Sequence, residues 1–164
     1  MNFWWCNQSR CWDDEFGRRV ICSSTDTSQP KFRETVRLAR KDDVTLHYRS
    51  SLGIVAVSRA VEDAVACKDD DKRQICLWGR GYAFPAEYHV FQKPLLRDSV
   101  LNGLLALKIT DGPVVHFKDG RVQIRQAYFM AFSAAAFRIV HSASDKVDWP
   151  QWAVNVIGSD KIRG

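Results

Sequence analysis

Alternation of side chains predicts an opening strand from Phe3 to Asn7, with Phe3, Trp5 and Asn7 on one face and Trp4 and Cys6 on the other. Residues 10 to 30 break the pattern. They are rich in Arg, Asp, Ser and Thr around a short Val20-Ile21-Cys22 island, and they read as an ordered but irregular loop. Asp26-Thr27-Ser28-Gln29-Pro30 supplies helix-start chemistry, because short polar side chains accept bonds from the first backbone N–H groups of a helix. Phe32, Val36 and Ala39 then share one helical face, and Arg40-Lys41 suits the negative end of the helix dipole.

Asp42-Asp43 turns the chain into a second strand, where Val44, Leu46 and Tyr48 alternate with Thr45 and His47. Arg49-Ser50-Ser51 is too short for a crossover, so the apolar run from Leu52 to Val61 is expected to return antiparallel as a mostly buried strand. Lys68 to Arg73 is a solvated loop tip. Gly79-Arg80-Gly81 leads into the clearest alternation: Tyr82, Phe84, Ala86, Tyr88 and Val90 against Ala83, Pro85, Glu87 and His89. Pro85, lacking an N–H, marks an edge or a bulge. Pro94 to Leu107 reads as a helix or two short turns capped by Asp98, Val122 to Phe129 as a strand, and Ala131 to Val140 as an Ala-rich helix. We expect one domain over residues 1–164, with 143–164 as a C-terminal extension or linker. Strands joined by short links with interspersed helices predict an α+β fold: a small twisted β-barrel of about five to six mostly antiparallel strands flanked by helices.

The composition agrees with a folded single domain: 164 residues, 46% hydrophobic and 26% charged, which excludes wholesale disorder. No stretch approaches the roughly 18 apolar residues of a membrane-spanning helix. Met1 to Cys6 lacks the basic start and apolar core of a secretory signal, so a cytoplasmic protein is expected. A net charge of +5 favours anionic partners, of which nucleic acid is the commonest. Six tryptophans point the same way, since beyond packing they stack on flat ligands.

Five cysteines, Cys6, Cys11, Cys22, Cys67 and Cys76, form an odd set with no CxxC, and the four histidines are scattered. Reduced thiols, no metal and no cofactor are expected. There is no GxGxxG, no phosphate-binding P-loop and no GxSxG elbow. The acidic trio Asp13, Asp14 and Glu15 reads as loop capping. His47 and Tyr48 fall on opposite faces of their strand, so they share a pocket only if a bulge intervenes. An aromatic plane beside an amide and a hydroxyl can grip a base, which singles out Trp5, Asn7 and Ser9. Trp78, flanked by Gly79 and Gly81, is a second candidate for stacking. Arg10, Arg18, Arg19, Arg80 and Arg125 are candidate phosphate ligands.

Several short motifs, agreeing in order and spacing over residues 3 to 140, resemble the EVE domain, a relative of the YTH and PUA folds. Phe3-Trp4-Trp5-Cys6-Asn7-Gln8-Ser9 is similar to the Phe-Trp-Trp-Val-Asn-Gln opening of EVE-like domains fused to HNH nucleases. Asp42 to Tyr48 resembles their Gly-Asp-x-Val-x-His-Tyr segment, and Gly53 to Ala60 the strand after it. Gly81 to Tyr88 with Gln92-Lys93-Pro94-Leu95, and Gln126-Ala127-Tyr128-Phe129, resemble two later elements. The resemblance implies a barrel with a pocket for a flipped, modified base, lined by Trp5, Asn7, Ser9, Cys22, Ser23, Tyr48, Trp78 and Tyr128. Trp78 matches a cage tryptophan of the YTH relatives, while Ile21-Cys22-Ser23 stands where the family commonly carries a Trp. The expected function is therefore a non-enzymatic reader of 5-methyl- or 5-hydroxymethylcytosine in DNA, in a restriction or defence setting, with any nuclease on a fused or partner segment. Two other classes stand beside it: an RNA reader of PUA or ASCH type, and a small nucleotide hydrolase.

Overall fold

The computed structural model describes residues 1–24, 34–107, 112–116, 121–144 and 148–159. In chain order the elements are β1 (Phe3–Asn7), α1 (Trp12–Arg18), β2 (Val20–Ser24), a 3₁₀ turn (Thr35–Leu38), β3 (Val44–Arg49), β4 (Gly53–Ala60), β5 (Val65–Cys67) and β6 (Gly81–Leu95). There follow α2 (Arg97–Ala106), β7 (Val114–His116), β8 (Val122–Ile124), β9 (Phe129–Phe132), α3 (Ala134–Ala143) and α4 (Gln151–Ser159). The fold is α+β. One strongly curled mixed sheet runs β2-β6-β4-β3-β1-β9, with β5 also on β6, and β7 and β8 form a separate ribbon. Among the described residues no helix is long and apolar enough to cross a membrane.

Two features produce the curl. β6 has 15 residues and changes partners midway: Gly81 to Pro85 pairs with β2, and Ala86 to Leu95 with β4. Pro85 sits at that changeover. Register also slips twice along β4, opposite His47/Tyr48 and between Ile54 and Ala56, and such bulges sharpen the local twist. At Gly81 the strands nearly touch; a Cβ there would lie 1.7 Å from the Ser23 carbonyl oxygen, so only glycine fits.

Each face of the sheet has its own core. Phe3, Trp5, Leu46, Tyr48, Ile54 and Phe91 pack against Val100, Leu104, Phe137, Val140 and Trp149 of the helical layer. Trp4, Cys6, Ile21, Ala56, Phe84, Tyr88 and Phe129 line the inside of the curl, which α1 closes with Trp12. The two faces expected for β1 are thus the two cores, and His47 and Tyr48 point oppositely as the alternation requires. Burying one tryptophan removes roughly 150–250 Å² from water, worth about 4–6 kcal/mol before entropy is counted.

Several expectations are corrected. The strands are mostly antiparallel, as expected, but β1 and β3 pair in parallel, Phe3 with Val44 through Asn7 with Tyr48. Residues 12–24, expected to be an irregular loop, are α1 and β2. The inward face of α1 carries a carboxylate, Glu15, and the helix ends on a non-glycine left-handed residue, Arg19 (φ 57°), so neither the apolar period nor a glycine stop announced it. The strand expected over Val122 to Phe129 is two strands, β8 and β9. β6 continues through Leu95, so α2 starts at Arg97 and its N-cap is Leu96; Asp98 lies within the first turn. Residues 148–159 are not a linker, because Trp149 and Ala153 are buried in the helical core. Cys67 and Cys76 are joined in a disulfide, whereas Cys6, Cys11 and Cys22 are not. The expected helix start at Asp26 to Pro30 lies outside the described residues.

Candidate functional site

Inside the curl, polar side chains from β3, β4, β6 and α1, with Gln8 just after β1 and Tyr128 just before β9, bond to one another. Glu15, Gln8, His47 and Ser58 are all fully enclosed. Gln8 Nε2 donates to Glu15 Oε2 at 2.6 Å, and the Cys22 backbone N–H and the Tyr128 hydroxyl both donate to Oε1. Gln8 Oε1 is then the acceptor for His47 Nδ1 at 2.5 Å, which makes Nε2 the acceptor for the Ser58 hydroxyl at 2.7 Å. Tyr88 accepts from Gln8 Nε2 and donates to the Val20 carbonyl at 2.8 Å.

Burial sets the charges of this network. It pushes the Glu15 carboxyl pKa up, against bonds from Cys11, Tyr128, Cys22 and Gln8 that pull it down. It lowers His47 to about 3, so the imidazole is neutral. Tyr88 and Tyr128 are raised well above the usual tyrosine value, first by burial and then by the nearby Glu15 charge. Ser58 and His47 have the spacing of a nucleophile and its base, but both are walled in on every side. Their bonds position β3 against β4. Gln8, which lies between Asn7 and Ser9, ties the end of β1 into this network.

That rim is built where the parallel strands β1 and β3 end side by side. Asn7 donates from Nδ2 to the Arg125 carbonyl at 3.3 Å, and its Oδ1 accepts from the Ser9 hydroxyl at 2.7 Å. Ser9 Oγ in turn accepts from the Ser50 backbone N–H at 2.8 Å, tying the β1 exit to the β3–β4 turn. Arginines adjoin these groups: Arg10 follows Ser9, Arg49 precedes Ser50, and the Arg125 carbonyl meets Asn7. Arg10 is exposed, and Arg125 bonds the Gly112 carbonyl at 3.2 Å. The Arg49 guanidinium lies 5.6 Å from the Trp12 ring centre, and its enclosed Nε has no partner among the described residues. Arg97 and Asp98, at the start of α2, act on Tyr48, whose hydroxyl pKa rises through burial, with Arg97 opposing and Asp98 adding.

The structure therefore brings Asn7, Ser9, Tyr48, Tyr128, Arg10 and Arg125 to one end of the sheet, but it does not give them the expected roles equally. Trp5 is fully buried between Tyr48 and Phe132, with ring centres 5.3 and 5.6 Å away, and offers no face to a base. Cys22 and Ser23 are fully buried in β2, and the Tyr128 hydroxyl is committed to Glu15. Trp78 is 38% exposed just before β6 begins, whereas Tyr48 aligns through Ile54 with Leu95 at its end. A cage combining Trp78 with Trp5 or Tyr48 is not formed. Arg80 beside Trp78 pairs with Asp69 at 2.9 Å, Arg18 is exposed in the last turn of α1, and Arg19 covers the Phe16 ring at 4.5 Å.

Sequence reading missed Gln8, Glu15, Ser58 and Tyr88, whose importance lies in partners distant along the chain. It also missed a cleft of about 390 Å³ between the end of β6 and the C-terminal segment, lined by Phe91, Lys93, Leu96, Ser99, Asp148 and Trp149 among others.

No family model matches the sequence, and neither does any curated protein. Solved structures do match. A Pseudomonas putida protein is similar with a TM-score of 0.55 at 14% identity, over 86% of this chain and 98% of that one. Rpa0253 from Rhodopseudomonas palustris gives 0.52 at 11% identity, over 87% and 92%. A hypothetical protein from Leishmania major gives 0.53 at 11% identity, over 87% and 93%. At such identities the likeness is one of fold alone. It extends over nearly the whole of each neighbour.

Proposed function

We propose that this chain is a binding module of the PUA/EVE/YTH-like kind that reads a modified base in nucleic acid, with DNA carrying 5-methyl- or 5-hydroxymethylcytosine as its ligand. The observation that carries the reading is the rim at the ends of β1 and β3, where Asn7, Ser9 and Ser50 are bonded together beside Arg10, Arg49 and Arg125. With Oδ1 taken by Ser9 and one Nδ2 hydrogen by the Arg125 carbonyl, Asn7 keeps its second Nδ2 hydrogen for the edge of an extruded base, and Ser9 Oγ keeps one lone pair beside it. Arg49, half-buried at the end of β3, adds positive charge beside the Ser50 turn, which suits a flanking phosphate. Extruding a base costs a few kcal/mol, so contacts at this rim and to the flanking phosphates must exceed that. The order and spacing of the motifs over residues 3 to 140 support the same conclusion, as does the net charge of +5.

On its own the module binds without chemistry, and cleavage belongs to a fused or partner nuclease. The test is a panel of duplexes and single strands carrying cytosine, 5-methylcytosine, 5-hydroxymethylcytosine or N6-methyladenine, in DNA and in RNA. Selective binding of a modified-cytosine DNA, weakening as salt rises, is the expected result. Equal affinity for all oligonucleotides, selectivity confined to RNA, or no binding would each overturn the proposal.

A further inference from the structure

We infer that Leu52 and Leu96 form an apolar wedge that enters a duplex and fills the space left by the extruded base. The inference rests on the base-reading function proposed above. Both leucines stand out in solvent, at 43% and 64% exposed. They are held together by backbone contact: Gly53, at φ +103°, packs so closely that a Cβ would lie 2.3 Å from the Leu95 carbonyl oxygen and 3.2 Å from the Leu96 Cα. The β3–β4 turn and the junction of β6 with α2 therefore present one rigid edge. It adjoins the Asn7–Ser9 turn, to which Ser50 is bonded.

Leu96 is an unfavourable choice for its position. It is the N-cap of α2, where Ser, Asp or Asn would satisfy a backbone N–H, and it makes no side-chain cap bond. The charges beside it stay net positive: Lys93, Arg97 and Arg49 flank the two leucines, against two carboxylates, Asp98, which Arg97 pairs at 2.8 Å, and Asp148, which lines the cleft beside Leu96 and accepts from the Gln92 backbone N–H. Apolar wedges between base steps are a known means of holding a duplex open.

A wedge is needed only where there is a stack to open. The experiment therefore compares a modified-cytosine duplex with the same modified strand alone, for wild type, Leu52→Ala, Leu96→Ala and Leu96→Ser. The serine variant supplies a good N-cap, so its melting temperature should hold or rise and lost binding is not lost folding. Expected is a fall of about tenfold or more in duplex affinity with single-strand affinity unchanged, and a smaller rise in 2-aminopurine fluorescence beside the modified base. Variants that bind the duplex like wild type would refute the wedge while leaving base reading intact. Equal losses on both substrates would refute it too, since the leucines would then be touching the strand itself. If only self-association changes, the edge is a contact between copies and the inference fails. A wild-type protein that binds neither substrate removes both the wedge and the function it rests on.

Discussion

Acid should destabilise this protein earlier than its carboxylates alone would allow, and His47 is the reason. Free imidazole titrates near 6.5, whereas enclosure among Gln8, Ser58, Tyr88 and Trp12 lowers His47 to about 3. Below pH 6.5 the unfolded chain takes up a proton that the folded chain refuses. Stability is then complete above 6.5 and is lost as pH falls towards 3, to a limit of about 5 kcal/mol. Between pH 7 and pH 5 the linkage relation gives a loss of about 2 kcal/mol, which moves a urea midpoint by about 1 M. Glu15 has the opposite sign. Its raised pKa means that the folded state binds a proton more readily than the unfolded state, so it adds stability as pH falls. Urea unfolding at pH 7, 6 and 5 should therefore be run in a Glu15→Gln background as well as in wild type, and the slope should be steeper in Glu15→Gln. His47→Asn, whose amide can still donate to Gln8, should be less stable at pH 7 but should lose no stability from 7 to 5, the remaining slope being that of Glu15. If His47→Asn follows the wild-type pH dependence, the neutral buried imidazole is not the cause and the reasoning is refuted.

Asp43→Ala should cost about 2–4 kcal/mol in chemical unfolding, because Asp43 accepts from the Asn2 and Arg40 backbone N–H groups at 2.6 and 3.0 Å and from Trp4 Nε1 at 2.9 Å, and its loss strands these donors. Reducing the Cys67–Cys76 disulfide, or replacing either cysteine by Ser, should lower stability by about 2–3 kcal/mol, and free-thiol counts before and after reduction should differ by two. Trp78→Ala should change stability by less than about 0.5 kcal/mol and leave discrimination between modified and unmodified bases unchanged, since Trp78 stands at the far end of β6 from the Asn7 rim. Asn7→Ala should weaken the modified-base preference by about 1–3 kcal/mol; a lower melting temperature with an unchanged preference would make Asn7 part of the scaffold.

The elements legible in the sequence are those whose evidence is local. The two faces of β1, the tight hairpin from β3 to β4 and the opposed directions of His47 and Tyr48 all follow from a period of two and a link too short for anything else. Asn7 and Ser9 stand out in the sequence because a strand end is where side chains reach solvent, and the structure bonds them to each other. What tertiary structure alone decided involves partners far apart in the chain. A buried carboxylate in α1 contradicts every pattern for an inward helix face, and Glu15 is tolerated because donors arrive from Gln8, from Cys22 and from Tyr128, the last 113 residues away. Parallel pairing of β1 with β3 spans a crossover that no short link signals. Trp149 enters the core only because the helical layer leaves room for it against Phe91 and Phe137. Periodicity reports which side of an element is buried, and burial has one physical cause that can be read residue by residue. The compatibility of a buried charge, a cysteine or a late tryptophan with its surroundings depends on which groups the fold brings to it, and that information exists only once the chain has closed.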